Sequence, residues 1–192
     1  MKSGTLITLI LAMLGPVWAD SRLPEAARRQ IGITVYYDPA YIVIPYPGGD
    51  VPMESGVCTD VVIRAMRHLG LDLQKAVHED MKRNFSAYPS RKIWGLKRPD
   101  KNIDHRRVPN LQTYFKRQGW SVAITQNAAD YLPGDIVTCM LMGDSIPHIM
   151  IVSDRKNAEG VPLVIHNIGG GTQEEDELFS FNLIGHYRPK LP

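Results

Sequence analysis

The chain has 192 residues, with 22 basic and 20 acidic side chains and a formal net charge of +2. This near-neutral balance excludes the broad positive field with which proteins hold nucleic acid. The short basic runs Lys97-Arg98 and His105-Arg106-Arg107 are isolated, as in solvated loops. We therefore expect no nucleic-acid partner.

The first 19 residues have the pattern of a cleavable export signal. Lys2 precedes an apolar run from Leu6 to Leu14, the breaker pair Gly15-Pro16 follows, and Ala19 stands at the cleavage position. The apolar run is too short for a comfortable membrane span. The sequence predicts a signal peptide over residues 1–19 and a single periplasmic or secreted domain over 20–192, with no membrane span after cleavage. The alternative is an uncleaved anchor that tethers the same domain.

The first half of the mature chain is predicted to be mainly helical. The apolar residues that follow Cys58 recur at helical spacing until Gly70 ends the run, which makes this the clearest helix. Proline and glycine between Val35 and Val51 indicate a short strand pair and a loop. The predicted helices are Pro24–Ile31, Thr59–Leu69, Asp72–Tyr88 and Val108–Gln118.

The second half of the mature chain changes to short branched or aromatic runs that Gly, Pro, Asn and Asp separate. Such runs are typical of antiparallel strands joined by hairpins. The predicted strands are Asp135–Met142, Ile146–Asp154, Val161–Ile168 and Leu183–Tyr187. Helices followed by strands predict an α+β fold, with N-terminal helices packed on a C-terminal antiparallel sheet.

Cys58 directly precedes the clearest helix, and this position suits a nucleophile. The free backbone N–H groups and the positive end of the helix dipole favour a thiolate and could also hold an oxyanion. The second cysteine, Cys139, lies inside an apolar strand and is predicted to be in the core. The alternative is a Cys58–Cys139 disulfide, which an exported protein could retain.

Two histidines lie on strands predicted to be neighbours in the sheet. His148 follows Pro147 at the head of one strand, and His166 lies within the next. If the strands pair, one imidazole could deprotonate the thiol while the other orients it. Asn167 points to the opposite face from His166, so only one of these two residues can be the orienting group.

The order of the motifs resembles that of NlpC-like cysteine peptidases of the papain-like superfamily. The motifs run from residue 46 to residue 167, and they are Tyr46-Pro47-Gly48-Gly49, Gly56-Val57-Cys58-Thr59-Asp60, Pro133-Gly134-Asp135-Ile136-Val137, Pro147-His148-Ile149-Met150-Ile151-Val152 and Val164-Ile165-His166-Asn167. A closer resemblance, over nearly the whole mature chain, is to the bacterial DUF1287 family. The segments that carry this closer resemblance are Gly56–Asp60, Asp104–Leu111, His166–Gly169 and Gly185–Arg188.

The NlpC-like resemblance implies a papain-like fold and hydrolysis of amide bonds in peptidoglycan stem peptides. It makes Cys58 the nucleophile, His148 the general base and His166 the orienting residue, with Tyr46 lining the site. Many of those enzymes carry Asp-Cys-Ser-Gly at the nucleophile, whereas Val57 precedes the cysteine here. The aspartate that holds a peptide amine in that family is thus absent, and Asp60 or Asp50 could serve differently.

A polar cluster before the last helix is a candidate for substrate binding. Arg106 or Arg107 could clamp a substrate carboxylate, and Asp104, His105 and Asn167 complete the predicted binding set. The alternative is a loop held together by ion pairs.

No metal ligand set and no cofactor motif is evident. The histidines lack a paired spacing, and two cysteines cannot form a closed thiolate zinc site. The glycines at 169–171 precede four acidic residues and predict a flexible loop rather than a phosphate cradle. We expect a peptidoglycan or another amide-bearing envelope substrate. The alternatives are a thiol hydrolase of esters or lipid amides, and a catalytically silent binding module with the disulfide.

Overall fold

The computed structural model describes residues 20–143 and 145–192. The predicted signal peptide and its cleavage site after Ala19 precede Asp20 and so lie outside the described residues. Within the described part, no helix has the length and apolar character needed to cross a membrane.

Five α-helices lie between residues 20 and 117. They are α1 (Arg22–Arg28), α2 (Cys58–His68), α3 (Leu73–Asn84), α4 (Ser90–Trp94) and α5 (Val108–Arg117). Of these, α2, α3 and α5 confirm the predicted helices to within a few residues, whereas α1 begins and ends earlier than predicted. The short α4 was not predicted, because five residues are too few to show a helical period.

A five-stranded antiparallel sheet forms the second half of the chain. Its strands are β3 (Ile136–Leu141), β4 (Ile146–Lys156), β5 (Pro162–Asn167), β6 (Thr172–Glu175) and β7 (Asn182–Tyr187), in the order β6-β5-β4-β3-β7. Four of them confirm predicted strands. The exception is β6, which replaces part of the loop predicted after Gly171.

Two short strands precede α2, and they differ from the predicted strand pair. Strand β1 (Tyr36–Tyr37) pairs in parallel with β2 (Ser55–Gly56). The prediction placed both strands between Val35 and Val51, but the second strand lies beyond that range. This pairing sets residues 36–37 beside the start of α2.

The core consists of two apolar clusters on opposite faces of the sheet. The larger lies between the helices and the sheet, where α1, α2, α3 and α5 cover inward residues such as Ile149, Ile151 and Ile165. The second contains Cys139 and Met150 and is covered by residues 178–183. Because successive strand residues alternate between faces, each residue of β4 belongs to one side or the other.

A buried ion cluster fastens the last strand to β3. The Asp135 carboxylate accepts hydrogen bonds from Arg188 at 2.7 and 2.8 Å and lies 2.7 Å from Nε2 of His186. The two basic partners hold the pKa of Asp135 below its usual value although burial opposes them. The segment Gly185–Arg188, one of those that carry the family resemblance, therefore has a structural role.

Candidate functional site

Cys58 is the first residue of α2, and local hydrogen bonds fix this helix start. The Val57 N–H donates to Oδ2 of Asp60 at 2.7 Å, and the Asp60 N–H donates back to the Val57 carbonyl. The backbone N–H groups of Ile149 and Thr59 act on the Cys58 thiol and lower its pKa. Burial raises the pKa of Cys58 to about 12, and these two N–H groups only partly offset that effect. The thiol is therefore neutral in this arrangement.

Asp60 forms a buried ion pair with Arg106. Its two carboxylate oxygens accept from Nε and Nη2 of Arg106, each at 2.9 Å, and both side chains are 3% exposed. The same guanidinium also donates to the carbonyls of Ala40 and Asp38. Four of its five N–H groups are engaged in this way, so Arg106 holds loops together and is a weaker candidate than Arg107 for the predicted carboxylate clamp.

A cavity of 230 Å³ opens beside Cys58. The Arg107 guanidinium stacks 4.1 Å from the centroid of Trp94 and makes a long ion pair of 3.3 Å with Asp104. The other N–H groups of Arg107 have no acceptor among the described residues and can donate to a ligand. The cavity is lined by Tyr37, Pro39, Val57, Cys58, Trp94, Ile103, Arg106, Arg107, Val108, Pro109, Ile146 and Pro147.

Tyr46 does not line this cavity, in contrast to the prediction. Its ring packs edge-on against His78 at 5.1 Å and lies 5.7 Å from Nζ of Lys101. The tyrosine that lines the cavity is Tyr37, whose pKa is raised to about 12 by burial and then by Cys58. Sequence reasoning missed Tyr37 and Trp94 because the tertiary packing of β1 and α4, rather than a motif, brings each to the cavity.

His148 and His166 are hydrogen-bonded neighbours, as the predicted strand pairing requires. Nε2 of His148 lies 2.8 Å from Nδ1 of His166, and Nε2 of His166 lies 3.1 Å from Glu175. Both rings are almost fully buried. Burial lowers the pKa of His148 to about 3 and that of His166 to about 4, so both are neutral near pH 7.

The structure does not bring the His148 ring to the Cys58 thiol. His148 pairs directly with Cys139 across β3 and β4, and directly paired residues share one face of a sheet. Cys139 belongs to the cluster on the face away from the helices, whereas Cys58 packs with the helical cluster. The rings of His148 and His166 therefore lie on one side of β4, and the Cys58 thiol lies on the other.

Asn167 lies on the helix side, opposite to His166, as strand alternation predicted. Its side-chain amide donates to the Gly56 carbonyl at 3.1 Å and to the Tyr36 carbonyl at 3.3 Å. Gly56 stands two residues before Cys58. Asn167 therefore supports the segment that leads into α2 and has a closer structural link to the thiol than His166 has.

Asp104 and His105 are buried beside the ion pair rather than open to a ligand. Asp104 accepts the Asp100 N–H at 2.5 Å, and burial raises its pKa to about 6. Burial lowers the pKa of His105 to about 3, and Arg106 adds to this effect. Of the polar cluster predicted to bind substrate, Arg106 and Arg107 border the cavity, and Arg107 has more N–H groups without an acceptor.

Both cysteines are free thiols, so the structure does not contain the alternative disulfide. Among residues 20–143 and 145–192, no group of three or more histidine, cysteine, aspartate or glutamate side chains is arranged to hold a metal ion.

Helices packed on one face of a five-stranded antiparallel sheet, with a thiol at the start of α2, define an α+β protein. The chain belongs to the family described as "Domain of unknown function (DUF1287)", whose model matches residues 24–189. It is similar to "Uncharacterized protein YijF" of Escherichia coli (strain K12), with 57% identity over 166 residues, 86% of this chain and 80% of that protein. No solved structure matches. The DUF1287 resemblance read from the sequence is thereby confirmed.

Proposed function

We propose that the protein is an exported thiol hydrolase that cleaves an amide bond in cell-envelope material, with Cys58 as the nucleophile. The observation that carries this proposal is the setting of the thiol. Cys58 begins a helix and borders a cavity, and the backbone N–H groups of Ile149 and Thr59 lower its pKa against the effect of burial. Backbone donors aimed at a sulfur stabilise its anion, and an anionic sulfur attacks carbonyl carbons.

The order of motifs adds support, because it is similar to that of NlpC-like cysteine peptidases with a papain-like fold. On that similarity, His148 takes the thiol proton as the sulfur attacks the carbonyl carbon, and it returns the proton to the departing amine. Water then hydrolyses the thioester and regenerates the thiol. Peptidoglycan stem peptides are the proposed substrate, and Arg107 beside the cavity suits one of their carboxylates.

Catalysis by this pair requires His148 to reach the helix side of the sheet. His148 is the third residue of β4, close to the hairpin that joins β3 and β4. A one-residue change of register exchanges the faces on which strand residues lie. Such a change confined to residues 146–148 would bring the imidazole to the side of Cys58 without moving the buried residues farther along β4.

A catalytically silent envelope-binding module is the second candidate, and one observation favours it. The thiol is neutral and buried, and the His148 ring lies on the other face of the sheet. In this candidate the cavity binds a ligand and Cys58 is only part of its wall.

Digestion of purified peptidoglycan sacculi tests the proposal. The mature chain should release new amino groups, and Cys58→Ala should abolish that release. Cys139→Ala is the matched control and should keep it, since this thiol lies on the other face.

Ester and lipid-amide substrates are tested in parallel. Cleavage of these alone would keep the nucleophile and change the substrate. Full activity of the Cys58→Ala variant would refute the assignment of the nucleophile, and no cleavage of any substrate by the parent chain would favour the binding module.

A further inference from the structure

A second and larger cavity, of 840 Å³, lies beside the loop that precedes α5. We call it the basic groove, and it is lined by Tyr41, His78, Gly95, Leu96, Lys97, Arg98, Pro99, Asp100, Lys101 and Asn102. Its cations belong to a segment that the sequence alone identified as an ordinary solvated loop. The fold instead gathers them around one concave surface.

The three cations of the basic groove have no acidic partner. Lys97, Arg98 and Lys101 are exposed, and none of them forms an ion pair with the carboxylates that the structure describes. Asp100, the one acidic residue of the lining, is held by Tyr41 Oη at 3.0 Å and by the Asn102 N–H at 2.9 Å. Its carboxylate stabilises the loop, so the groove keeps a net positive charge.

His78 forms part of the wall of the basic groove. Its pKa is lowered first by burial and then by Lys82 and Lys101, whereas Asp100 and Glu79 oppose this shift. A ligand that brings negative charge into the groove would therefore meet cations without a carboxylate partner among the described residues.

Adjoining segments of the chain line the basic groove and the Cys58 cavity. Along the chain, Trp94 borders the Cys58 cavity, residues 95–102 border the groove, and Ile103 borders the cavity again. Earlier in the chain, Tyr37 belongs to the cavity and Tyr41 to the groove. A bound chain could therefore run from one depression into the other.

We propose that the basic groove binds the acidic part of an extended peptide whose neighbouring segment occupies the Cys58 cavity. The groove is much larger than a single small anion, and its three cations lie within residues 97–101 of one loop. Several carboxylates along one peptide match this arrangement. The inference rests on the proposed function only for the position of the cleaved bond. Binding of the peptide by the groove is tested separately.

Fluorescence anisotropy with a labelled hexaglutamate peptide tests the inference. The protein is the mature chain carrying Cys58→Ala, so that no cleavage occurs during the titration. The groove variant is Lys97→Glu, Arg98→Glu and Lys101→Glu. The matched control reverses three exposed lysines elsewhere, namely Lys116→Glu, Lys156→Glu and Lys190→Glu, and has the same change in net charge.

We expect the groove variant to bind hexaglutamate at least about tenfold more weakly than the control, because three weak charge pairs are replaced by repulsion. Binding should also weaken between about 0.05 and about 0.5 M salt, and a hexaglutamine peptide should not bind. If the triple variant unfolds, the single reversals Lys97→Glu and Arg98→Glu give the same comparison with smaller expected losses.

Equal affinities of the groove variant and the control, equal binding of hexaglutamine, or absence of hexaglutamate binding by the parent would each overturn the inference. Vesicles containing phosphatidylglycerol form a further arm. Groove-dependent binding to vesicles without binding to the peptide would assign the surface to a membrane and also overturn it. Groove-dependent peptide binding with no thiol hydrolysis would keep the groove and refute the proposed function.

Discussion

The buried Asp60–Arg106 pair gives a sharp test of how the Cys58 site is held together. Replacing Arg106 with Met keeps much of the side-chain volume but removes the guanidinium. Asp60 then retains the Val57 N–H as a donor and has no counter-charge. Breaking a buried ion pair from one side costs about 3–5 kcal/mol, because the remaining charge is left desolvated. The carbonyls of Ala40 and Asp38 lose a donor as well.

Urea unfolding of the mature chain measures this cost. With an m value of about 2 kcal/mol/M, a loss of about 4 kcal/mol lowers the unfolding midpoint by about 2 M. Arg107→Met is the control: this side chain is more exposed and makes a long ion pair with Asp104 and a stacking contact with Trp94, so its loss should cost less than about 2 kcal/mol. Adding Asp60→Asn to Arg106→Met should recover part of the stability, since no unpaired charge then remains. Equal midpoint shifts for the two arginine variants would refute this account of the pair.

Acidification should destabilise the fold, because burial lowers the pKa values of three histidines well below 6.5. They are His105, His148 and His166. The unfolded chain then binds more protons, so the unfolding free energy falls as the pH drops below about 6.5, by up to about 2 kcal/mol per histidine at pH 5. Burial raises the pKa of Asp104 to about 6, and this carboxyl opposes the loss of stability by about 1 kcal/mol over the same pH range. Equal unfolding midpoints in urea at pH 7 and pH 5 would contradict the prediction. Gly185→Ala should also destabilise the protein, by about 2 kcal/mol or more, because a Cβ there would lie 2.5 Å from Oγ1 of Thr138. Gly170→Ala, which meets only the mobile end of Gln173, is its control, and similar melting temperatures for the two variants would show that β7 can shift.

Local patterns in the sequence were enough to predict most of the elements. The apolar spacing after Cys58 predicts α2, and branched runs predict four of the five strands of the large sheet. By contrast, β6 has the sequence Thr172-Gln173-Glu174-Glu175, which lacks apolar alternation, and it forms because β5 offers an edge. Its pairing is tertiary and leaves no periodic signal in the sequence.

The candidate site was predictable only in part, for the same reason. Strand alternation correctly placed His148 near His166 and Asn167 on the other face. The face of the sheet on which His148 lies follows from its pairing with Cys139. The sequence pattern does not fix this register between β3 and β4. Likewise, the partner of Arg106 is Asp60, 46 residues earlier, and no local motif connects them.

The pH dependence of Cys58 alkylation is the most direct test of the central claim that this thiol is an activated nucleophile. Iodoacetamide would be applied to the Cys139→Ala chain, so that Cys58 is the one thiol available for alkylation. The modified residue would be identified by mass spectrometry. The hydrolase proposal predicts rapid modification near about pH 6, where an ordinary thiol is protonated, and its loss in the His148→Ala variant. Modification that rises only above about pH 8 and does not depend on His148 would contradict the claim and match the neutral, buried thiol of the binding module.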